Sequence, residues 1–291
     1  MCQWCMKHGA GKKWYMNAKN YQADQIGESK EDLVNYLEEQ WMQFETVFIR
    51  KIMGISSKDL GYKLQMPIIG RLLRWKAENM IHSEKEGRNP KRADGHFGQV
   101  IPLEDGKAIL SDLAAEPILC NYCMCRWMQR GEKEAVCLNF GALSGVLEKM
   151  PRFMPDERTN PIDREEAMEI LEQNNEKGYI ASVWFQPVPY INAICSCESP
   201  ECGGLTLRNN FGLKAVYKAE YIIDLDQDKC QGCKQCVAMC QFSAIRYIPS
   251  MDRVIIDYDK CFGCGVCRHA CQNDALQLIP REEFPGFDGT Y

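Results

Sequence analysis

Apolar residues recur at helical spacing over 29–53, where Leu33, Leu37, Trp41, Phe44 and Phe48 form one stripe. Ser29, with Asp32 three residues on, reads as an N-cap, and Gly54 reads as a stop. The stretch predicts a long amphipathic helix whose stripe is core packing rather than a cofactor box. A second helix is predicted over 67–83, with Pro67 near its start. The run SEKEGRNPKRADGH after it is polar, charged and punctuated by Gly and Pro, which predicts an exposed loop or linker.

From about Val100 the pattern changes to a loosely repeated unit. The copies are IPLEDGKAILSDLAAEPILCNYCMCRW and NPIDREEAMEILEQNNEKGYIASVWFQPVPYINAICSCESPEC. Each opens on a proline and on acidic residues that suit a helix start. Each runs through a short amphipathic helix, on Ala108, Ile109, Leu110 and Leu113 in one and Ala167, Met168, Ile170 and Leu171 in the other. Each then becomes apolar with strand character and ends at a C-x-C pair, Cys123/Cys125 and Cys195/Cys197. This predicts a helix–strand–cysteine-loop unit used twice. After Glu220 a tighter repeat follows: a strand (Ile222 and Ile223; Ile255 and Ile256), a cysteine loop, a short helix through a fourth cysteine, and a second strand (Ile245–Ile248; Leu276–Ile279). The expected fold is α+β in three parts. Residues 1–95 are mainly helical with a cysteine pair at their start, 96–219 are a cysteine-rich α/β middle, and 220–291 are a two-site module.

Composition narrows the class. The 291 residues are 45% hydrophobic and 26% charged, an ordinary soluble globular balance. No segment approaches the roughly 18 uninterrupted apolar residues of a membrane helix, and MCQWCMKHGAGKK lacks the apolar core of a signal peptide. The expectation is a cytoplasmic protein with no membrane insertion. Arg71 to Arg92 hold seven basic and three acidic residues, which reads as a solvated helix face and linker, with a docking patch as the alternative. No nucleic-acid-binding motif accompanies that charge, so no nucleic-acid partner is expected.

Seventeen cysteines change the picture most. An odd count cannot pair fully within one chain, and in a reducing cytosol clustered cysteines more often bind metal than form disulfides. So many oxidisable sulfurs suggest an anaerobic or strictly reducing setting. Eight of them form one string twice over, 31 residues apart: Cys230, Cys233, Cys236, Cys240 and Cys261, Cys264, Cys267, Cys271, both C-x2-C-x2-C-x3-C. That spacing suits an iron–sulfur cube, with three thiolates on a tight loop and the fourth pointing elsewhere. Gly232, Gly263 and Gly265 let the backbone wrap closely and turn N–H groups toward sulfur. Zinc or disulfides on these eight is the weaker reading.

Residues 220–280 resemble the two-cluster bacterial-type ferredoxins. The resemblance implies two [4Fe–4S] clusters bound crosswise, one on Cys230, Cys233, Cys236 and Cys271, the other on Cys261, Cys264, Cys267 and Cys240. The family usually has Pro after each fourth cysteine, where this chain has Gln241 and Gln272; that Pro ends a turn and is not a ligand. Residues 100–220 are similar to cysteine-rich segments that precede such modules in iron–sulfur proteins of anaerobes. That likeness rests on C-x-C-R at Cys123–Arg126, C-L-x-F-G at Cys137–Gly141 and I-C-x-C at Ile194–Cys197. It implies a cofactor, not a substrate.

Nine cysteines remain. Cys120, Cys123, Cys125, Cys137, Cys195, Cys197 and Cys202 lie in the middle part, and Cys2 and Cys5 make half a metal site at the start. Tight C-x2-C and C-x-C spacings from two separate loops favour at least one further [4Fe–4S] cluster; adding Cys2 and Cys5 gives nine ligands, enough for two four-cysteine clusters or for one ordinary and one five-cysteine cluster. Structural zinc in a four-cysteine site is the alternative for the middle, and buried reduced thiols the plainest one. His8, three residues after Cys5, reads as a surface histidine or a ligand. His269 is expected near a cluster as a donor that raises its potential. Gly-rich dinucleotide, phosphate-loop and nucleophile-elbow motifs are lacking.

Residues 220–291 carry 11 acidic and 7 basic side chains, most of the chain's net charge of −5. Each oxidised cube on four thiolates adds about two further negative charges, so this end should attract a positively charged partner surface. The leading expectation is an electron-transfer protein or subunit, passing electrons through several clusters to a redox protein partner or within a larger oxidoreductase complex. The alternatives are a reductase whose middle cluster is an open catalytic site, and a module whose middle is organised by zinc.

Overall fold

The computed structural model describes residues 3–22, 29–43, 62–81, 98–149, 161–185 and 189–286. Cys2, Phe44, Phe48, the Gly54 stop and the linker over 83–96 lie outside these, as does the Trp41 side chain.

The core is a seven-stranded sheet built from the two middle units. Its strands are β1 (Gly98–Val100), β2 (Ile118–Tyr122), β3 (Ala135–Phe140), β4 (Pro161–Ile162), β5 (Ile180–Phe185), β6 (Ile191–Cys197) and β7 (Val216–Tyr217), in the spatial order β4-β2-β3-β6-β5-β1-β7. Every pairing is antiparallel except β1 with β7. The first unit supplies one strand after its helix; the second supplies a hairpin, β5 and β6. Cys195 and Cys197 therefore sit inside a strand rather than on a loop. The two helices are α4 (Leu103–Ala108), prolonged by a π turn over Ile109–Leu113, and α7 (Arg164–Glu176), capped by Asp163 through the Glu166 N–H.

Side chains alternate across a sheet, so each strand divides its residues between two faces. One face carries Ile118, Leu138, Phe140, Ala181, Val183 and Ile194, packed with α4 and α7 residues such as Ile109, Ala167 and Leu171. Trp14, Tyr15 and Tyr21 from the first described segment enter this same core. The other face carries Val100, Ile180, Cys195, Cys197 and Val216, and meets Leu205 and the C-terminal module in one continuous apolar cluster.

Helix α2 (Lys30–Gln43) starts where expected: Ser29 Oγ accepts the Asp32 N–H at 3.1 Å and donates to its carboxylate at 2.7 Å. Leu33 and Leu37 bury against Val146 and Tyr190. The second predicted helix is α3 (Ile69–Ile81), and Pro67 stands two residues ahead of it.

In the C-terminal module β8 (Tyr221–Leu225) pairs with β11 (Leu276–Pro280), and β9 (Ile245–Ile248) with β10 (Arg253–Ile256). All four strands fall where the repeat placed them. The short helices stop sooner than expected: α9 (Gln235–Met239) ends with Cys240 as its C-cap, and the 3-10 turn Val266–Arg268 ends before Cys271.

Candidate metal centres

Each fourth cysteine crosses to the other cysteine loop. The sulfurs acting on Cys236 are those of Cys233, Cys271 and Cys230, and with burial they push its thiol up to about 11. The sulfurs acting on Cys264 are those of Cys261 and Cys240, and burial with them pushes it up to about 12. Cys267, held well above the ordinary thiol value by burial, neighbours Cys264, Cys261 and Cys240, and also Cys236 of the other set. Thiols crowded this way resist ionising together; a bound cationic centre reverses that and takes them as thiolates. The donors fit iron–sulfur cubes in chemistry and in grouping, and such a cube supplies reversible one-electron transfer.

The backbone wraps as glycine permits. Gly232 and Gly263 adopt φ of +65° and +67°, and a Cβ at either would fall on a carbonyl oxygen, of Asp252 and Tyr221 respectively. N–H groups turn inward: those of Gly263 and Val266 bond to the sulfurs of Cys261 and Cys264. Arg281, 2% exposed, ties the second loop down by donating to the carbonyls of Ala219, Tyr221 and Cys261 at 2.7–3.1 Å.

The two sets differ in surroundings. Cys261, Cys264 and Cys267 are all buried, with Phe262 stacked on Phe242 at 4.0 Å and flanked by Arg208 and Lys218. Cys233 of the other set is exposed. Contacts with the middle part cluster on the buried set's side. Gln241, next to Cys240, accepts the Ser199 N–H at 2.7 Å and donates to the Gly178 carbonyl at 2.6 Å. His269 pairs with Asn175 at 2.8 Å, and Arg268 with Glu104 at 2.7 Å. His269 thus reaches out to the middle part through its ring.

Six of the seven middle cysteines come together. Cys125 donates to Cys123 and to Cys202, and Cys202 donates to Cys197. Cys137 donates to Cys123 and to Cys195. Strand register explains the gathering. Cys137 is paired with Cys195 across β3 and β6, Cys195 with Ser182, and Asn121 with Cys137, so all four side chains share the sheet face that meets the C-terminal module. Cys120 belongs to the other face, packed against the first core, and burial beside Glu166 pushes its thiol up to about 11.

Within the six-thiol group the shifts oppose one another: neighbouring thiols and burial hold Cys125, Cys137, Cys197 and Cys202 above the ordinary thiol value, while Cys123 is lowered. Hydrogen bonds from Cys125 and Cys137, then the Arg126 N–H and guanidinium, push Cys123 down to about 3. Arg126, 1% exposed, lies 4.0 Å over the Tyr179 ring and is paired with Glu134 and Glu198. Ser182 Oγ takes the Trp184 indole N–H at 2.9 Å and lies 3.3 Å from Cys197 Sγ. Both amide atoms of Asn121, 3% exposed, lack a hydrogen-bond partner. A buried amide left unpaired is costly and points to a group that belongs beside it. Among the described residues no three or more His, Cys, Asp or Glu side chains converge on a single-ion site; the thiols follow one another in a row.

Cys5 is elsewhere. It is fully buried in the first core and its thiol donates to Glu220 at 3.0 Å. Burial, with Lys7 adding to it, lowers the pKa of His8 to about 4. Asn121 and Arg281 escape a reading of the sequence by motif; Arg126 stands in the C-x-C-R motif and Gln241 in the place of a family Pro, but neither pattern told its contacts.

Two crossed four-cysteine sets on a doubled strand–loop–strand unit define an iron–sulfur electron-transfer module. Residues 229–275 match the family model described as a 4Fe-4S dicluster domain. No curated protein and no solved structure matches the chain. Among the described residues no helix is long and apolar enough to cross a membrane.

Proposed function

We propose that this chain is an electron relay of three [4Fe–4S] clusters serving a redox partner. Two would be held crosswise, on Cys230, Cys233, Cys236 and Cys271 and on Cys261, Cys264, Cys267 and Cys240. The third would be held within the group Cys123, Cys125, Cys137, Cys195, Cys197 and Cys202. Cys120 and Cys5 take no part. The observation that carries the reading is the single apolar cluster in which the thiols of Cys195, Cys197 and Cys202 lie together with those of both C-terminal sets. Apolar packing between redox centres excludes water and fixes their separation. The buried set, on whose side Gln241 and His269 grip the middle part, would then pass electrons between the six-thiol group and the outer set. Exposed Cys233 marks the end at which a partner docks, either a free redox protein or another subunit of an oxidoreductase.

Metal analysis of the anaerobically purified chain tests this. Three clusters require about twelve irons per chain and three separable one-electron transitions in a redox titration followed by EPR. About eight irons with one zinc would overturn the third cluster and leave zinc organising the middle.

A further inference from the structure

One cubane takes four thiolates, and six thiols are gathered on the sheet face. We propose that Cys123, Cys125, Cys197 and Cys202 are the ligand set, and that Cys137 and Cys195 are a redox-active dithiol beside it. This rests on the third-cluster reading above and divides its residues.

The backbone separates the two kinds. Cys123 and Cys202 are the N-cap residues of α5 (Met124–Arg130) and α8 (Gly203–Phe211), Cys125 lies in the first turn of α5, and Cys197 is the last residue of β6. At Cys123 and Cys202 chain N–H groups are left over from secondary structure, whereas Cys197 still pairs with Ile180 at the end of the sheet ladder. The Arg126 N–H donates to the Cys123 sulfur and the Leu205 N–H to that of Cys202, as Gly263 and Val266 do in the C-terminal module. Cys137 and Cys195 are mid-strand residues within sheet ladders. Their N–H groups belong to those ladders and have nothing to offer a sulfur.

The thiols form one row, Cys195–Cys137–Cys123–Cys125–Cys202–Cys197, with Cys137 and Cys195 together at one end of it. The pair is in direct cross-strand register. Opposed residues of an antiparallel pair have Cα atoms about 4.5–5.5 Å apart, inside the roughly 4.4–6.8 Å window that a disulfide spans. As residues, Cys137 and Cys195 are both only partly buried.

The chemistry is thiol–disulfide exchange with a low-molecular-weight disulfide. The thiolate of one cysteine attacks a sulfur of the external disulfide and releases one thiol. The second cysteine then attacks the mixed disulfide and releases the other. Two protein thiols and one external disulfide become one protein disulfide and two external thiols, so the two electrons and two protons leave with those thiols.

The test uses the full chain with its clusters, treated anaerobically with 2-hydroxyethyl disulfide. The expected result is a peptide pair joined through Cys137 and Cys195, a mass lower by about 2 Da, and iron unchanged at about twelve. Cys137→Ser and Cys195→Ser should each keep the full iron content and abolish the linked peptide, while Cys125→Ser and Cys202→Ser should each lose about four irons. Loss of about four irons in Cys137→Ser or Cys195→Ser overturns the proposal, as does a wild-type chain that yields no Cys137–Cys195 link. Wild-type iron of about eight would instead sink the third cluster, and the linked peptide would still decide for or against the dithiol. Because wild-type mapping needs no variant, a substitution that fails to fold leaves the outcome intact.

Discussion

Gln241 Nε2 donates to the carbonyl of Gly178 at 2.6 Å, while its Oε1 takes the Ser199 N–H at 2.7 Å. One side chain thereby clamps the C-terminal module to the turn after α7 and to the loop after β6. The dicluster family's usual proline could make neither bond. Gln241→Ala should leave iron content unchanged, because Gln241 is not a ligand. It should lower unfolding stability by about 1–3 kcal/mol, since two backbone groups lose their partners. Denaturant unfolding, with hydrogen exchange at Gly178 and Ser199, reads both effects; a fall in iron would show that the clamp holds the Cys240 loop itself.

Cys120 differs from the other middle cysteines by one strand face, and that predicts a silent substitution. Cys120→Ala removes a thiol from the core formed with α4 and α7. Iron per chain and the EPR spectrum should match wild type, with a stability cost of about 1 kcal/mol. Loss of iron would mean that the β2 register breaks when the clusters load.

The same face explains what the sequence could reveal and what it could not. The duplicated C-x2-C-x2-C-x3-C string needs no fold to be read, because its three near ligands are local and its repeat supplies the fourth. The middle cysteines are different: whether Cys120 joins Cys123 depends on which face of β2 it takes, and that is set by pairing with β3. C-x-C at Cys195 and Cys197 does carry a clue, since alternate residues of a strand share a face. Reading it required placing 191–197 in a strand, and the sequence pattern put those cysteines on a loop. Cys5 shows the opposite limit. Its C-x2-C spacing with Cys2 looks like half a metal site, yet the carboxylate that receives its thiol, Glu220, is 215 positions away.

Half-buried His8 gives the fold an acid-sensitive element. Its pKa is about 4 in the native state against an ordinary 6.5, mainly through burial. The unfolded chain therefore binds a proton that the native chain refuses. Stability from this residue is complete above pH 6.5 and is lost as pH falls toward 4. Allowing for solvent screening, the loss should be about 1–2 kcal/mol. His8→Gln should flatten that part of the curve. The stability difference between wild type and variant, measured by denaturant unfolding at pH 7 and pH 4.5, isolates the effect from acid damage common to both; a constant difference would refute it.

Gly263 is the position where side-chain chemistry is least tolerable in the buried cysteine set. Its φ is +67°, and a Cβ there would strike the Tyr221 carbonyl and crowd Ala219. Those are the residues whose carbonyls Arg281 binds while also bonding to Cys261. Gly263→Ala cannot relieve the clash by turning a side chain, because the obstacle is backbone. The loop must move, and with it the Gly263 N–H that bonds to the Cys261 sulfur. The left-handed conformation alone costs about 1–3 kcal/mol for a non-glycine residue, and the clash adds to it. The expected result is loss of about four irons, from the cluster on Cys261, Cys264, Cys267 and Cys240. Gly131→Ala is the control: φ there is +70°, but a Cβ would meet nothing within 4 Å. It should incur the conformational cost without losing iron. Equal iron in the two variants would show that the close approach at Gly263 is not what shapes the cluster loop.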